Sequence, residues 1–398
     1  MSINKAQLQT LSARLTTAVN GLSPLDDGKN VDKRQGIIAV AREILQEATL
    51  PEEEWLAEVA LMCIMTASRL FLRWGAFDGI PVKGTVAYND LAEKLEIDAS
   101  LFRRVGKVLV TGNVLHEVDD AHLAHTAKSL AYANSGPYSF LARMTFDETL
   151  KSCAFLPEYF EEYRDEPQGP VGCPYSFAHG QPEKSLWDIM NKNPERMRIF
   201  MQAMKTAESQ MPATVLYDFG WAKEMARSTD RMLFVDVGGG KGHVVQGICE
   251  ENPWLPKEKC AVQDREDVIQ EARMADNPNL RGVKMMAHDF NLEQPIKGAL
   301  VYHIRRCLHN YGDEISVGIL RHIADAMAPD SRLLIVEQVI ANPPLPMEAQ
   351  FDFVMMTLGG KERTERQFED LVEQAGLRIL DIHRKPNTPI SVVECIKS

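Results

Sequence analysis

The sequence predicts an α/β protein with a doubly wound sheet in its C-terminal part and a helical N-terminal part. Three observations carry this. An apolar run, Met232-Leu233-Phe234-Val235-Asp236-Val237, passes straight into Gly238-Gly239-Gly240-Lys241-Gly242-His243. Strand-like runs then alternate with helical stretches to residue 398. Ahead of about residue 231 the pattern is helical, with apolar residues at three- and four-residue steps.

Within the first 50 residues, Leu8, Leu11, Leu15, Val19 and Leu22 follow that step and predict helices with an exposed polar face. Val59-Ala60-Leu61-Met62-Cys63-Ile64-Met65 soon meets Arg69, Arg73 and Trp74, and reads as a buried core helix too short to cross a bilayer. Tyr88–Leu95 and Asp98–Leu109 read as two helices, the second capped by Asp98, and Gly112–Val118 as a turn into a strand. Helix, turn, helix and β-wing is a winged-helix arrangement.

The stretch 131–210 is helical and loop-rich, and Pro167–Pro182 reads as a connection. Phe177, His179 and Trp187 are candidates for a pocket wall there. After the first strand, the candidates are Ala261–Gln263, Val283–Met286, Ala299–Tyr302, Arg332–Val336 and Ile390–Glu394. Strands spaced by helices predict a parallel sheet with helices on both faces.

A net charge of −12 argues against nucleic acid as a partner, because phosphate contacts need clustered Lys and Arg. Arg103, Arg104 and Lys107 on the second winged-helix helix stand in acidic surroundings. The N-terminus lacks the apolar core of a signal peptide, so no membrane partner is expected. Seven scattered cysteines without a CxxC pair fit a reducing, cytoplasmic location. No metal is expected, since His288 and Asp289 have no third ligand at a recognisable spacing.

The glycine loop points to a nucleotide-type ligand. Gly238 and Gly240 let the backbone turn tightly and approach a ligand where a Cβ would collide. Asp236, at the strand end, can accept a hydrogen bond from an ammonium group or water. Asp264 follows the next strand, where a ribose diol would lie. Asp289 follows the third and can accept from an adenine amino group, with Phe290 packed on the ring. These features alone do not separate S-adenosylmethionine from NAD.

Tyr302-His303-Ile304-Arg305-Arg306-Cys307-Leu308-His309-Asn310-Tyr311 resembles a signature of plant caffeic-acid-type and fungal secondary-metabolite O-methyltransferases. Val336-Glu337-Gln338 and Gly359-Gly360-Lys361-Glu362-Arg363-Thr364 are similar to that family's next two signatures. The resemblance spans about 210–398 with specific motifs and the N-terminal part with looser ones. It implies S-adenosyl-L-methionine as cofactor and a small hydroxylated molecule as substrate. His309 would be the general base, Glu337 and Glu362 would hold its ring, and Arg305 would contact the cofactor. Asp352, Met355 and Met356, just before the Gly-Gly-Lys-Glu loop, are the substrate-pocket candidates. Asn310 and Tyr311 depart from the Asp and Trp common in the family, which removes one carboxylate beside the base.

The resemblance also implies a Rossmann-like methyltransferase domain over 211–398. Ahead of it stand a helical linker and pocket wall over 131–210 and a helical, winged-helix dimerisation domain over 1–130. A homodimer is the expected assembly. Similar fungal enzymes catalyse pericyclic or dehydrative steps without methyl transfer, and tend to carry a cationic residue in place of the base. The retained His309 favours methyl transfer.

Overall fold

The computed structural model describes residues 4–23, 31–209, 214, 216–385 and 388–398. These form two compact units, Met1–Asn134 and Ser135–Ser398. The expected boundary between 210 and 211 lies outside the described residues.

In the first unit, helices Lys5–Asn20 and Val31–Ala48 precede the 24-residue helix Pro51–Trp74. Strand β1 (Val86–Ala87) leads into helix Tyr88–Lys94, and Asp98 caps helix Ala99–Thr111 by accepting from Leu101 N at 2.8 Å. Strands β2 (Leu115–Val118) and β3 (His122–His125) pair antiparallel, and β3 also pairs with β1. A helix–turn–helix results, flanked by a three-stranded sheet whose β1 precedes the helices and whose β2 and β3 follow them. Lys107 reaches Glu117 and Asp120, both at 2.6 Å, so this cation is already engaged by acids of the wing.

One expectation is corrected here. Pro51–Trp74 is not a buried core helix: Leu61 is 62% and Met62 56% exposed, and Trp55 and Leu56 are exposed too. The helix is also long and apolar enough to cross a membrane by length and composition. The apolar run extends past Arg69 because these charges sit near its C-terminal end, where they do not interrupt it.

The second unit is built on seven strands: β4 (Phe234–Val237), β5 (Cys260–Asp264), β6 (Lys284–Ala287), β7 (Val301–Arg305), β8 (Arg332–Ile340), β10 (Leu377–Arg384) and β11 (Ile390–Lys397). Their order is β10-β11-β8-β7-β4-β5-β6, and the two-residue β9 (Arg363–Thr364) pairs with β8. The sheet is mixed where a parallel one is expected. β11 runs antiparallel to both β8 and β10. Only five residues separate β10 from β11, too few for the crossover that a parallel pair needs.

Residues alternate between the two faces of this sheet. Val235, Val237, Tyr302 and Ile304 join one core, which Leu320, Ile323, Phe368 and Leu371 cover from helices Asp313–Ala326 and Glu365–Gln374. Phe234, Val262, Leu334 and Val336 join the other, covered by Val244 and Ile248 of helix His243–Glu251. Helices on both faces leave only the strand ends for a ligand, and Asp236, Asp264 and Asp289 lie at or just past the carboxyl ends of β4, β5 and β6.

The connection expected over Pro167–Pro182 contains a short helix, Pro174–Ala178. Its Phe177 packs edge-on to Phe155, Tyr159 and Tyr163, and Trp187 packs edge-on to Phe200. His179 joins a polar network with Glu148 and Arg196.

Candidate active site

Asp236 lies in the middle of the sheet and is almost wholly buried. Its Oδ1 is 2.7 Å from His303 Nδ1, its register partner on β7, and its Oδ2 has no hydrogen-bond partner. A buried carboxylate oxygen without a partner is costly, so this one marks a place for a donor. Beyond it the chain turns at Gly238 (φ +72°) and Gly240 (φ +58°). A Cβ on Gly238 would lie 2.6 Å from Cys307 Sγ, whereas the space beside Gly240 is open.

Asp264, at the end of β5, accepts from Gly240 N and from Arg265 N, each at 2.8 Å. Burial pushes its carboxyl above the usual carboxylate range, against those hydrogen bonds. Asp289 is exposed just after β6 and accepts from both nitrogens of Asn291. Phe290 packs edge-on to Tyr311, with ring centroids 5.9 Å apart. Arg305 is buried at the end of β7. The glycine turn, Asp264, Phe290 and Tyr311 therefore surround one end of the sheet. The orphan Asp236 oxygen and the open side of Gly240 fit a ligand there that brings its own donors.

His309 sits on the 3₁₀ turn Leu308–Asn310 that follows β7, and is buried. Its Nδ1 is 2.9 Å from Glu362 Oε1 and 3.9 Å from Glu337 Oε2. A carboxylate accepts, so Nδ1 carries the proton, and Nε2 of the neutral ring keeps the lone pair. Glu337 Oε1 accepts from Cys307 N at 2.9 Å and Leu308 N at 3.0 Å, gripping the backbone just before the histidine. Burial raises the Glu337 carboxyl and Glu362 adds to the rise, while His309 and Arg306 oppose it. Glu337 Oε2 and Glu362 Oε2 are both buried without a hydrogen-bond partner. The ligand atoms of the three side chains lie within 4.8 Å of one another, so they could also hold a metal ion.

Asp352, a substrate-pocket candidate, has a structural contact of its own. On helix Pro346–Thr357, its Oδ1 accepts from Glu362 N at 2.8 Å and steadies the loop that carries Glu362. Met355 is buried and Met356 partly so on the same helix. The following Gly359 (φ +84°) has no room for a side chain, since a Cβ would meet Gly169 O at 1.8 Å. A separate cavity of about 630 Å³, lined by Ile340, Arg366 and Arg384 among others, includes neither the histidine nor the glycine turn.

Two residues escaped the sequence reading. Arg363 is buried against the His309 turn, and its partner Asp313 starts the next helix. Burial alone would raise the Asp313 carboxyl, but Arg363 and Lys361 outweigh it and hold the group below the usual carboxylate range. Arg363 stands inside the Gly-Gly-Lys-Glu-Arg-Thr signature, which was the available signal.

The acid on β4 and the glycine turn after it suit a nucleotide-type ligand, and the match to a family profile fixes the class: a methyltransferase that binds S-adenosyl-L-methionine. The chain belongs to the O-methyltransferase domain family, whose sequence profile matches residues 155–378. It is 36% identical to methyltransferase cfoD of Aspergillus candidus over 98% of this chain and 99% of that one. Among solved structures, OxaC in complex with SAH and oxaline superposes with a TM-score of 0.85 at 22% identity, covering 99% of this chain and 100% of that one. A pericyclic reaction enzyme superposes with a TM-score of 0.77 at 21% identity, covering 99% and 100%. At those identities the two solved structures speak to the fold alone.

Proposed function

We propose that the chain transfers a methyl group to a hydroxyl of a small aromatic or polyketide/pyridone-type secondary metabolite, with His309 as general base. The observation that carries this reading is the His309 Nδ1–Glu362 contact of 2.9 Å, which leaves Nε2 as the ring's free base. S-adenosylmethionine, when bound, supplies a methyl group on a positively charged sulfur, a good leaving group. Nε2 then takes the hydroxyl proton, and the imidazolium that forms faces two buried carboxylates. Glu362 holds the ring's tautomer, as the carboxylate of a Ser-His-Asp triad does, and Glu337 adds negative charge behind it.

For the cofactor, Asp264 would take the ribose hydroxyls, Asp289 the adenine amino group and Phe290 the ring face. Asp236 would accept from a donor through its orphan oxygen, with Arg305 beside it on the next strand. Met355 and Met356 would offer an apolar wall to a planar substrate. We read the His309, Glu337 and Glu362 cluster as base and orienting acids rather than as metal ligands. The His309–Glu362 contact already has hydrogen-bond length, and one Glu337 oxygen is committed to two backbone N–H groups.

The exposed apolar residues in the first half of helix Pro51–Trp74 support a homodimer, with a second copy of this chain covering Trp55, Leu56, Leu61 and Met62. A cytoplasmic location suits the seven unpaired cysteines.

The test is transfer of label from methyl-labelled S-adenosylmethionine to pooled hydroxylated aromatics and pyridones, with His309→Ala alongside. Label with the native protein, falling about a hundredfold or more in the variant, is expected. A cofactor-dependent change in the unlabelled products without label would instead establish a pericyclic or dehydrative reaction. The likeness to a pericyclic reaction enzyme makes that the second reading.

A further inference from the structure

We infer that Arg363 is a positioning residue for His309, setting the turn that aims the imidazole. The inference rests on the reading of His309 as general base.

Arg363 is 1% exposed, which is unusual for a guanidinium, and its donors converge on one short stretch of backbone. Its Nη1 donates to Leu308 O at 3.2 Å and its Nη2 to Tyr311 O at 2.9 Å. These carbonyls lie on either side of His309, so one planar group clasps both ends of the turn. Nη2 also donates to Ser316 Oγ at 3.2 Å, and Nε to Asp313 Oδ1 at 2.9 Å, which supplies the counter-charge. Nη1 further reaches Lys361 O at 3.5 Å, so each of the five N–H groups has an acceptor.

The same three-residue segment grips the turn in other ways. Lys361 N donates to His309 O at 2.8 Å, and Glu362 meets the ring itself. Glu362 and Arg363 are successive residues of an extended segment, so their side chains leave on opposite sides. One holds the imidazole while the other holds its backbone. The backbone of Arg363 is in turn fixed to β8 by its register with Val339, two residues beyond Glu337. Loosening the guanidinium therefore frees the turn against both carboxylates without touching the glycine loop.

Lysine retains the charge but presents three donors from a single nitrogen, and cannot span both carbonyls. Full-length protein with ¹³C-labelled histidine rings would be compared as native, Arg363→Lys and Ser316→Ala forms, with His309→Gln assigning the signal. In folded Arg363→Lys we expect a shifted or multiple His309 ring signal and SAH affinity within about twofold of native. The methyl-transfer kcat should fall about tenfold or more while KM for the methyl donor stays close to native. Ser316→Ala removes one acceptor of Arg363 together with the hydroxyl's own 3.4 Å contacts to Leu308 O and Tyr311 O; it gives a smaller change of the same kind and covers the case in which the lysine variant does not fold. A single, unshifted His309 signal in either folded variant overturns the inference, as does a loss of SAH affinity equal to the loss of kcat. If His309→Gln keeps full methyl transfer, the base reading fails separately, and the ring signal still reports whether Arg363 sets the turn.

Discussion

Gly360 packs so closely on His309 that a Cβ at this position would stand 2.1 Å from the histidine carbonyl oxygen. Met355 O accepts from Gly360 N at 2.9 Å and Lys361 N donates to His309 O at 2.8 Å, so neither backbone can retreat without losing a hydrogen bond. Gly360→Ala should therefore displace the His309 turn. We expect a loss of about 1–3 kcal/mol in stability, and a larger proportional loss in methyl-transfer kcat than in SAH affinity. Denaturant unfolding and calorimetry measure the two effects. A variant with native stability and native kcat would show that the loop moves freely.

Glu337→Gln separates charge from shape at the same site. Glutamine keeps an acceptor for the Cys307 and Leu308 N–H groups but removes a carboxylate whose buried charge is disfavoured. With the folded-state carboxyl raised, the native protein binds the extra proton, so stability falls as pH climbs from the ordinary carboxylate value through the folded one. The variant loses that slope. Its Tm should exceed the native value at pH 8, with the advantage shrinking toward pH 4.5, while kcat drops about tenfold for want of charge behind the imidazolium. Parallel melting curves across that range read the sign directly.

Much of this arrangement can be read before folding, and the rest is hidden for definite reasons. β4, β5, β7, β8 and β11 are apolar runs because each is buried on both faces. β10 alternates and is largely exposed, so Leu377–Arg384 lacks such a run and its antiparallel pairing goes unmarked. The acids of the cofactor end lie where strands stop, a position that local pattern reveals. Arg363 donates to backbone carbonyls of a turn while Asp313 accepts from its Nε, and no residue type at the turn announces that. Helix Pro51–Trp74 shows the opposite failure. An apolar stripe has the same pattern whether its own chain covers it or not.

Asp264 ties the glycine turn to the next strand through Gly240 N, and in the proposed reading it also meets the ribose. Asp264→Ala should weaken SAH binding by about ten- to a hundredfold, the range expected from losing charge-assisted hydrogen bonds. Asp289 is exposed and already engaged by Asn291, so Asp289→Ala should cost less. Titration calorimetry with SAH ranks the two variants. A larger loss at Asp289 would move the main cofactor contact to that strand end.

The reading of His309, Glu337 and Glu362 as base and orienting acids also predicts indifference to chelation. Dialysis against EDTA should leave methyl transfer at its starting rate, and zinc added back should not raise it. Activity lost to the chelator and restored by a divalent ion would reassign the cluster as a metal centre, for which its ligand atoms are close enough.

The exposed first half of helix Pro51–Trp74 bears on what the first unit is for. Leu61 and Met62 are each more than half exposed, beside Trp55 and Leu56, on a helix long and apolar enough to lie in a bilayer. Large apolar side chains left exposed around the first half of one helix call for a cover. If a second copy provides it, the native protein sediments as a dimer, and the double substitution Leu61→Glu, Met62→Glu yields monomers with the second unit still folded. Flotation of the native protein with liposomes, abolished by the same substitutions, would instead assign the helix to a membrane. A monomer that ignores liposomes would leave neither cover standing and would withdraw the dimer from the proposed function. Introducing two acids is a strong probe because burying two carboxylates at an apolar interface costs far more than the two side chains gain there.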